Sequence, residues 1–172
     1  MGNQNIKTSK REIVDYWFSI VDECGLSVDA SEALERCWRC GYEEFLERCH
    51  IIPDSLGGED TASNLVLLCR RCHIENPNIA DKDIMWDWLR AYGTTFYDTF
   101  WIKQGLKEYE FIYGKSLDIE FAERNITDVE KFGQIVREQF KNTTYHFGHP
   151  YLNSATLAGM FRVSLKKYNE VT

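Results

Sequence analysis

Four cysteines, two histidines and an asparagine are the residues of this sequence whose types and spacing could do chemistry. The cysteines form two C-x-x-C pairs, Cys37 with Cys40 and Cys69 with Cys72. A C-x-x-C loop directs two thiolates toward one point, and two such loops complete a tetrahedron around zinc. The pattern therefore predicts a zinc ion held by these four cysteines.

A redox dithiol or simple coincidence could also account for the cysteine pairs. A redox C-x-x-C usually stands alone near a βαβ pattern, and this sequence has no such pattern. Four thiolates close the zinc coordination sphere to water, so the ion is expected to be structural and not catalytic. Structural zinc contributes roughly 10–16 kcal/mol in small peptides, whereas a whole domain is stable by only about 5–15 kcal/mol. Loss of one ligand should therefore unfold the module.

The polar residues between and beside the cysteine pairs are His50, Asn64 and His73, and Gly57-Gly58 lies between the first two. Each could have an ordinary structural role when it is taken alone. His50 could be a surface or core histidine, Asn64 a turn residue, and His73 a replacement ligand of the zinc. Four cysteines already fill the zinc tetrahedron, however, so His73 is available for another role.

Three stretches together resemble the HNH endonuclease family, which has the ββα-metal fold. They are C-W-R-C-G, C-H-I-I-P-D-S-L-G-G-E-D and S-N-L-V-L-L-C-R-R-C-H, within residues 37–78. His50, Asn64 and His73 stand at the His, Asn and His that name the family, and the cysteines match its zinc-stapled branch. The resemblance implies a metal-dependent endonuclease that hydrolyses DNA phosphodiester bonds.

The resemblance also assigns roles that agree with the chemistry of hydrolysis. Cleavage of a phosphodiester needs an activated water and a cation for the charge that develops on phosphate. Neutral histidine, with a reference pKa of about 6.5, suits the work of a general base, and His50 is expected to be that base. His73 is expected to hold the catalytic Mg²⁺ or Mn²⁺. Asn64 is expected to hydrogen-bond backbone and orient His50, although the equivalent residue binds metal in some relatives.

The sequence departs from the family pattern on either side of the site. Many relatives place an oxygen or nitrogen ligand just before the base histidine, where this chain has Cys49. Thiolate is a poor ligand for Mg²⁺, so Cys49 is expected to be a small buried residue; the alternative is a softer metal. Pro77 cannot ligate where relatives often carry a further ligand, and Asn76 is the candidate there, with Glu75 and Asn78 nearby.

Arginines crowd this module, and a guanidinium suits bidentate contact with phosphate. The sequence therefore predicts nucleic-acid contacts by Arg39, Arg48, Arg70 and Arg71. The alternative is that these arginines form ion pairs on a solvated face with Glu43, Glu44 and Glu47.

The composition of the chain excludes some classes of function. The chain has 172 residues and a net charge of −7, which argues against a protein that coats nucleic acid by bulk electrostatics. A local cation can still meet phosphate on an acidic molecule. No apolar run approaches 18 residues, so no membrane span is expected. Met1 to Lys10 is polar and lacks the apolar stretch of a signal peptide, which predicts a cytoplasmic protein with metal ligands and spare thiols in place of disulfides.

The predicted fold is α+β, with a small ββα-metal zinc-stapled module embedded in a mainly α-helical body. Three segments are expected: N-terminal helices over 1–36 behind a loose tail, the HNH module with its structural zinc over 37–80, and a helical C-terminal region over 81–172. Leu65–Leu68 is an apolar run suited to a strand. Apolar residues at helical spacing predict helices over 11–23, from Asp29 or Ser31 to Arg36, from Asp81 or Asp83 to near Gly93, over 96–113, over 128–140 with Thr127 as a possible cap, and over 155–168.

Two alternatives to the nuclease are a non-catalytic zinc-stabilised module that binds nucleic acid or protein, and an interaction protein unrelated to nucleic acid. The expected partner of the nuclease is DNA. One HNH site cuts one strand, so a double-strand break would require a homodimer or two visits.

Overall fold

The computed structural model of the chain describes residues 6–23, 25–91, 93–94, 96–145, 148–149 and 151–170. Over these ranges it has seven α-helices and one two-stranded antiparallel sheet, which confirms the predicted α+β class. The chain folds as two compact units, one within residues 1–100 and the other within residues 101–172. The four paired cysteines and all three candidate catalytic residues lie in the first unit.

The sheet consists of β1 (Leu46–His50) and β2 (Leu65–Cys69), and helix α2 (Arg70–Glu75) follows β2 directly. The register runs from Leu46 opposite Cys69 to His50 opposite Leu65. Every residue of β2 is buried, as its unbroken apolar run predicts for a strand covered on both faces. The hairpin therefore brings His50 beside the start of β2, and it brings the start of β1 beside the second cysteine pair.

Helix α1 (Lys10–Trp17) is shorter than the predicted helix over 11–23. It begins with a capping box, in which Ser9 and Glu12 satisfy each other's backbone N–H groups. After Trp17 the chain turns, and the ring of Phe18 packs edge-on against Trp38 at 5.1 Å. The Trp17 indole N–H donates to the Leu65 carbonyl at 2.7 Å. The indole bond holds the end of α1 against β2, and the contact of Phe18 with Trp38 lies in the turn where the helix ends, earlier than periodicity alone suggests.

The short helix expected over 29–36 is absent, and successive turns take its place. The capping signal is nevertheless used, because the Asp29 carboxylate accepts from the Ser31 N–H at 2.8 Å. Arg36 then forms an isolated antiparallel bridge with Glu43. The bridge flanks the first cysteine pair, so the chain here must leave helical geometry to form the cysteine loop.

Five helices remain, and four of them agree with the predicted periodicity in place, though not at every end. They are α3 (Lys82–Arg90), α4 (Phe100–Tyr113), α5 (Leu117–Glu123), α6 (Val129–Glu138) and α7 (Ser154–Glu170). Asp81 caps α3, and Asp128 caps α6 where Thr127 was predicted. Helix α5, which Ser116 caps, was not predicted from the sequence. Three short 3₁₀ turns complete the described elements, at Asp54–Leu56, Ala62–Asn64 and Gln139–Asn142.

The second unit has a hydrophobic core of its own. Aromatic and aliphatic side chains from α4, α6, α7 and the loop before α6 form it: Tyr109, Ile126, Phe132, Ala158, Phe161, Leu165 and Tyr168. The carboxylate of Glu120 on α5 is buried beside this core and accepts from the Tyr109 hydroxyl at 2.9 Å. Arg124 and Arg162 pair with the same carboxylate, so its charge is compensated. No helix among the described residues has the length and apolar character needed to cross a membrane.

Candidate functional site

The four paired cysteines converge at one buried point, as their spacing predicts. The sulfur atoms of Cys37, Cys40, Cys69 and Cys72 all lie within 4.8 Å of one another, and those of Cys40 and Cys69 are 3.9 Å apart. Tetrahedral zinc with Zn–S bonds of about 2.3 Å places its sulfurs roughly 3.8 Å apart. The residues present therefore fit a zinc ion.

Backbone hydrogen bonds build the first cysteine loop onto the sheet. The Cys37 carbonyl accepts from the Gly41 N–H at 2.8 Å, and the Trp38 N–H donates to the Leu67 carbonyl of β2 at 3.1 Å. Gly41 has φ 72°, a left-handed conformation that glycine adopts at low cost. The Trp38 side chain is completely buried. The loop is therefore held by β2 on one side and by the core on the other.

The cysteine cluster is also electrostatically suited to a cation. Burial opposes ionisation of Cys37, but hydrogen bonds from the thiols of Cys40, Cys69 and Cys72 outweigh it and hold the pKa of Cys37 well below its usual range. The neighbouring thiols, Cys37 first, raise the pKa of Cys40 and of Cys72. Negative charge among four buried sulfurs is what a bound zinc ion would neutralise.

His50 ends β1, and Asn64 fixes the backbone that follows it. Asn64 is 3% exposed. Its Oδ1 accepts from the Ile52 N–H at 3.0 Å, and its Nδ2 donates to the carbonyls of Ile52 and Glu59, each at 3.0 Å. The Asn64 carbonyl also accepts from the Ile51 N–H at 2.8 Å. Asn64 thus forms hydrogen bonds with the two residues after His50 and with Glu59, later in the same loop. The three bonds of its side-chain amide are all to backbone groups.

The Gly57-Gly58 pair lets the loop between the strands close on itself. Gly57 has φ 89° and ends the 3₁₀ turn at Asp54–Leu56. A Cβ atom on Gly58 would lie 1.7 Å from the Ile52 carbonyl oxygen and 2.7 Å from Asn64 Nδ2. No other residue type fits that space, because real Cβ contacts stay beyond about 3 Å.

The segment before α1 lies against the same loop. The Lys7 N–H donates to Asp60 Oδ2 at 2.6 Å, and the Thr8 hydroxyl donates to the Asp60 carbonyl at 3.0 Å. Desolvation opposes ionisation of Asp60, but the bonds from Lys7 and Thr8 outweigh it and, with the charge of His50 nearby, lower the pKa of the carboxyl group. Arg48 on β1 donates to the Ile6 and Thr8 carbonyls at 2.9 and 3.1 Å. Residues 6–8 are therefore held against β1 and the loop that follows it.

His73, on α2, contacts a carboxylate on β1. Its Nδ1 lies 2.7 Å from Oε2 of Glu47. Both side chains reach solvent, with relative exposures of 36% for His73 and 26% for Glu47. Arg70 Nη1 lies 3.4 Å from the other carboxylate oxygen of Glu47, and its side chain is 78% exposed. The structure thus pairs the predicted cation ligand with a negative charge that was not assigned to it from the sequence.

Cys49 lies in the interior, as expected for a small buried residue. Its side chain is 1% exposed, and its sulfur lies 3.6 Å from the His50 carbonyl oxygen. Burial, with added repulsion from the charges of Cys37 and Glu47, raises the pKa of the Cys49 thiol to about 12. The group is therefore a neutral thiol at physiological pH, and it does not present a thiolate. The sixth cysteine, Cys24, lies outside the described residues.

The three candidate ligands after His73 are engaged elsewhere. Glu75 Oε2 pairs with Arg39 Nη1 at 2.6 Å. Asn76 is 9% exposed and its amide donates to the Pro77 carbonyl at 2.9 Å. Asn78 donates to the Asn76 carbonyl at 3.2 Å. Of the three residues, Asn76 is buried while Glu75 and Asn78 are exposed, and the role given to Asn76 stays a prediction.

The four arginines occupy different environments. Arg39 is 7% exposed and lies over the ring of Trp88 at 4.0 Å, so its charge faces the interior and Glu75. Arg48 holds the N-terminal segment, and Arg71 is partly buried on α2. Arg70 projects into solvent. The predicted phosphate contacts stay predictions, and Arg70 has the geometry best suited to one.

Two residues that were not assigned to the site from the sequence lie beside it: Glu47 contacts His73, and Asp60 is close enough to His50 for their charges to interact. The signal for Glu47 was present in the sequence, because side chains two apart on a strand share a face. Glu47 therefore lies on the same face of β1 as Cys49, the position just before the base histidine. Asp60 had no comparable signal, since its contacts depend on the path of the N-terminal segment.

The fold and the site together define a class of protein. A buried four-cysteine cluster ties the first cysteine loop to an antiparallel hairpin and the helix after it, and one histidine ends the first strand while another lies in that helix. This arrangement is that of a ββα-metal site with a position for structural zinc.

Comparison with known proteins agrees with this class. The model of the HNH endonuclease family matches residues 35–78, so the chain carries an HNH endonuclease domain there. A protein of Enterobacteria phage T4 named "Probable mobile endonuclease C" is 27% identical over 108 residues, which cover 59% of this chain and 46% of that protein. The chain thus aligns with less than half of that relative's length. No solved structure gives a significant match.

Proposed function

We propose that this chain is a metal-dependent HNH endonuclease that hydrolyses DNA phosphodiester bonds, with His50 as the general base and a divalent cation held near His73. The family match and the name of the phage relative support a nuclease. The observation that carries the catalytic part is the clamp formed by Asn64 on the backbone directly after His50. A general base needs a fixed position relative to the attacking water, and this clamp supplies it.

The chemistry assigned to the chain is proton transfer and positioning. His50 accepts a proton from a water molecule, whose oxygen then attacks the phosphorus atom as the leaving oxygen departs. A divalent cation bound near His73 would stabilise the charge that develops on the phosphate and on the leaving oxygen. Mg²⁺ or Mn²⁺ suits this position, because hard cations keep several waters and accept few protein ligands. The four-cysteine cluster, closed to water, would hold structural zinc.

DNA contact on an acidic molecule must be local. With a net charge of −7, non-specific attraction to phosphate is weak and salt reduces it further. Arg70 is the most exposed of the four candidate arginines, and its Nη1 lies 3.4 Å from Glu47 beside the proposed site. If a bound cation neutralised the charge of Glu47, the Arg70 guanidinium could leave that carboxylate and contact a phosphate oxygen.

The test is nicking of supercoiled plasmid by the zinc-loaded chain with added Mg²⁺ or Mn²⁺. We expect His50→Ala to lower the nicking rate by about 10²–10⁴-fold, the usual contribution of a general base. His149→Ala is the matched control, because His149 is an exposed histidine of the second unit, and it should nick like the wild type. Equal rates for wild type and His50→Ala would refute the proposed role of His50.

One observation favours a second candidate, a non-catalytic zinc module that binds nucleic acid. The position where relatives often carry a cation ligand holds the buried thiol of Cys49. This candidate predicts a gel shift that survives His50→Ala, with no nicking by the wild type under any divalent metal. The same plasmid experiment, run beside a binding assay, separates the two functions.

A further inference from the structure

We infer that Glu47 is an oxygen ligand of the catalytic cation and shares that cation with His73. The inference rests on the proposed function, because it assumes a cation near His73. It replaces the ligand that relatives carry just before the base histidine with a carboxylate two positions earlier on the same face of β1.

Few side chains around His73 could serve as further ligands. A hard divalent cation requires oxygen ligands, and proteins that bind Mg²⁺ usually supply one or two carboxylates. Cys49 is 1% exposed and its sulfur faces the His50 carbonyl. Pro77 has no donor atom in its side chain, Glu75 pairs with Arg39 at 2.6 Å, and the amides of Asn76 and Asn78 donate to the backbone carbonyls of Pro77 and Asn76. Glu47 is the carboxylate that the structure places in direct contact with His73.

The contact between Glu47 and His73 has dimensions that suit a shared cation. Glu47 Oε2 and His73 Nδ1 lie 2.7 Å apart and form a hydrogen bond. A cation bound by both atoms would displace the proton between them and hold them roughly 3 Å apart, as adjacent ligands of an octahedral cation with bonds of about 2.1 Å. Both side chains are partly exposed, so a hydrated cation and a phosphate could reach them. In the part of the chain that the structure describes, the four cysteines form the one group of three or more His, Cys, Asp or Glu side chains that could hold a metal ion. The site therefore allows two protein ligands, and waters and a phosphate oxygen would complete the coordination of the cation.

Strand geometry accounts for the change of ligand position. Glu47 and Cys49 are two residues apart on β1, so their side chains point to the same face of the ladder, about 6.8 Å apart along the strand. Compared with a ligand at position 49, the sequence Glu-Arg-Cys-His thus places the carboxylate two residues earlier on the same face of β1. Arg70, which lies 3.4 Å from the other Glu47 oxygen and is largely exposed, balances the carboxylate charge when no cation is bound.

The experiment measures Mn²⁺ binding to the zinc-loaded full chain without DNA. The protein carries glutamate labelled with ¹³C at the side-chain carboxyl group, and pulsed EPR detects the nuclei coupled to Mn²⁺. We expect a ¹³C coupling in the wild type, its loss in Glu47→Gln, and at least tenfold weaker Mn²⁺ binding by that variant. Gln retains an oxygen that can accept the His73 N–H, so a residue that only oriented His73 would tolerate this change better.

Glu44→Gln is the matched control. Glu44 is exposed and close in sequence, and its substitution removes the same charge. It should retain the ¹³C coupling and the wild-type affinity. Plasmid nicking by the same preparations keeps the two proposals apart. Nicking and Mn²⁺ binding without a ¹³C coupling in the wild type would overturn the role of Glu47 and leave the endonuclease intact. Absence of Mn²⁺ binding would also overturn it, and absence of nicking under any metal would refute the proposed function.

Discussion

At the residue scale, hydrogen bonds from side chains to backbone groups position the candidate site more than hydrogen bonds between side chains do. Asn64 uses its whole amide on the loop after His50, with three hydrogen bonds at 3.0 Å. Each such bond contributes about 0.5–1.5 kcal/mol net, and leaving a buried partner unsatisfied costs more. If His50 is the general base, as proposed, Asn64 would act on catalysis through the position of His50.

Asn64→Ala should lower the free energy of unfolding of the first unit by about 2–4 kcal/mol, because three bonds from a buried side chain to backbone are lost together. The measurement is denaturant unfolding, with hydrogen exchange of the Ile52 amide as the local probe. We also expect slower nicking with His50 still present. Asn142→Ala is the control, since exposed Asn142 makes one bond of 3.3 Å to Gln139. Unchanged exchange at Ile52 would contradict the clamp.

The sequence predicted the identities of the site residues better than their contacts. The spacing of Cys37, Cys40, Cys69 and Cys72 was sufficient for the buried cluster, because two C-x-x-C loops require little knowledge of the chain between them. The partners of Asn64 were not predictable in detail, since they depend on how the loop over residues 51–63 turns. The contact between Glu47 and His73 depends on the alternation of side chains along β1 and on the position of α2. The sequence predicts the alternation, but it does not predict where the helix lies.

At the element scale, the hairpin and α2 follow from local signals, whereas their attachments do not. The apolar run of β2 and the Asp81 cap were readable from the sequence. The turns over residues 30–35 were not, because the cysteine loop that follows overrides a weak helical preference. The N-terminal segment was expected to be a loose tail, yet bonds from the Lys7 N–H, the Thr8 hydroxyl and the Arg48 side chain hold residues 6–8 to the hairpin and its loop.

Arg48 and Arg70 should respond differently to the same substitution. Arg48→Ala removes both bonds to the Ile6 and Thr8 carbonyls, so we expect faster amide exchange in residues 6–9 and about 1–3 kcal/mol lower stability. Arg70→Ala should leave stability within about 0.5 kcal/mol, because its ion pair is exposed. It should weaken DNA binding and lower the salt slope by about one. Equal effects of both variants on stability and binding would contradict this division.

At the scale of the whole molecule, the two units are expected to differ in how far their stability depends on metal. The first contains every cysteine of the chain and builds its candidate site around the four-cysteine cluster. The second has its own core around Tyr109, Phe132 and Leu165 and contains no cysteine. A structural zinc ion contributes roughly 10–16 kcal/mol, as much as the net stability of a whole domain. Metal loss should therefore act on one unit selectively.

Cys72→Ser tests this selectivity in the full chain. We expect loss of stoichiometric zinc by elemental analysis and collapse of the amide NMR signals of the first unit, because serine does not replace a zinc thiolate. Signals from residues 101–170 should persist, since their core needs no metal. Cys49→Ser is the matched control: its buried thiol lies outside the cluster, so the variant should retain zinc and lose only about 1–3 kcal/mol for burying a hydroxyl group. A Cys72→Ser protein with full zinc and dispersed signals from the first unit would show that the cluster does not hold the fold.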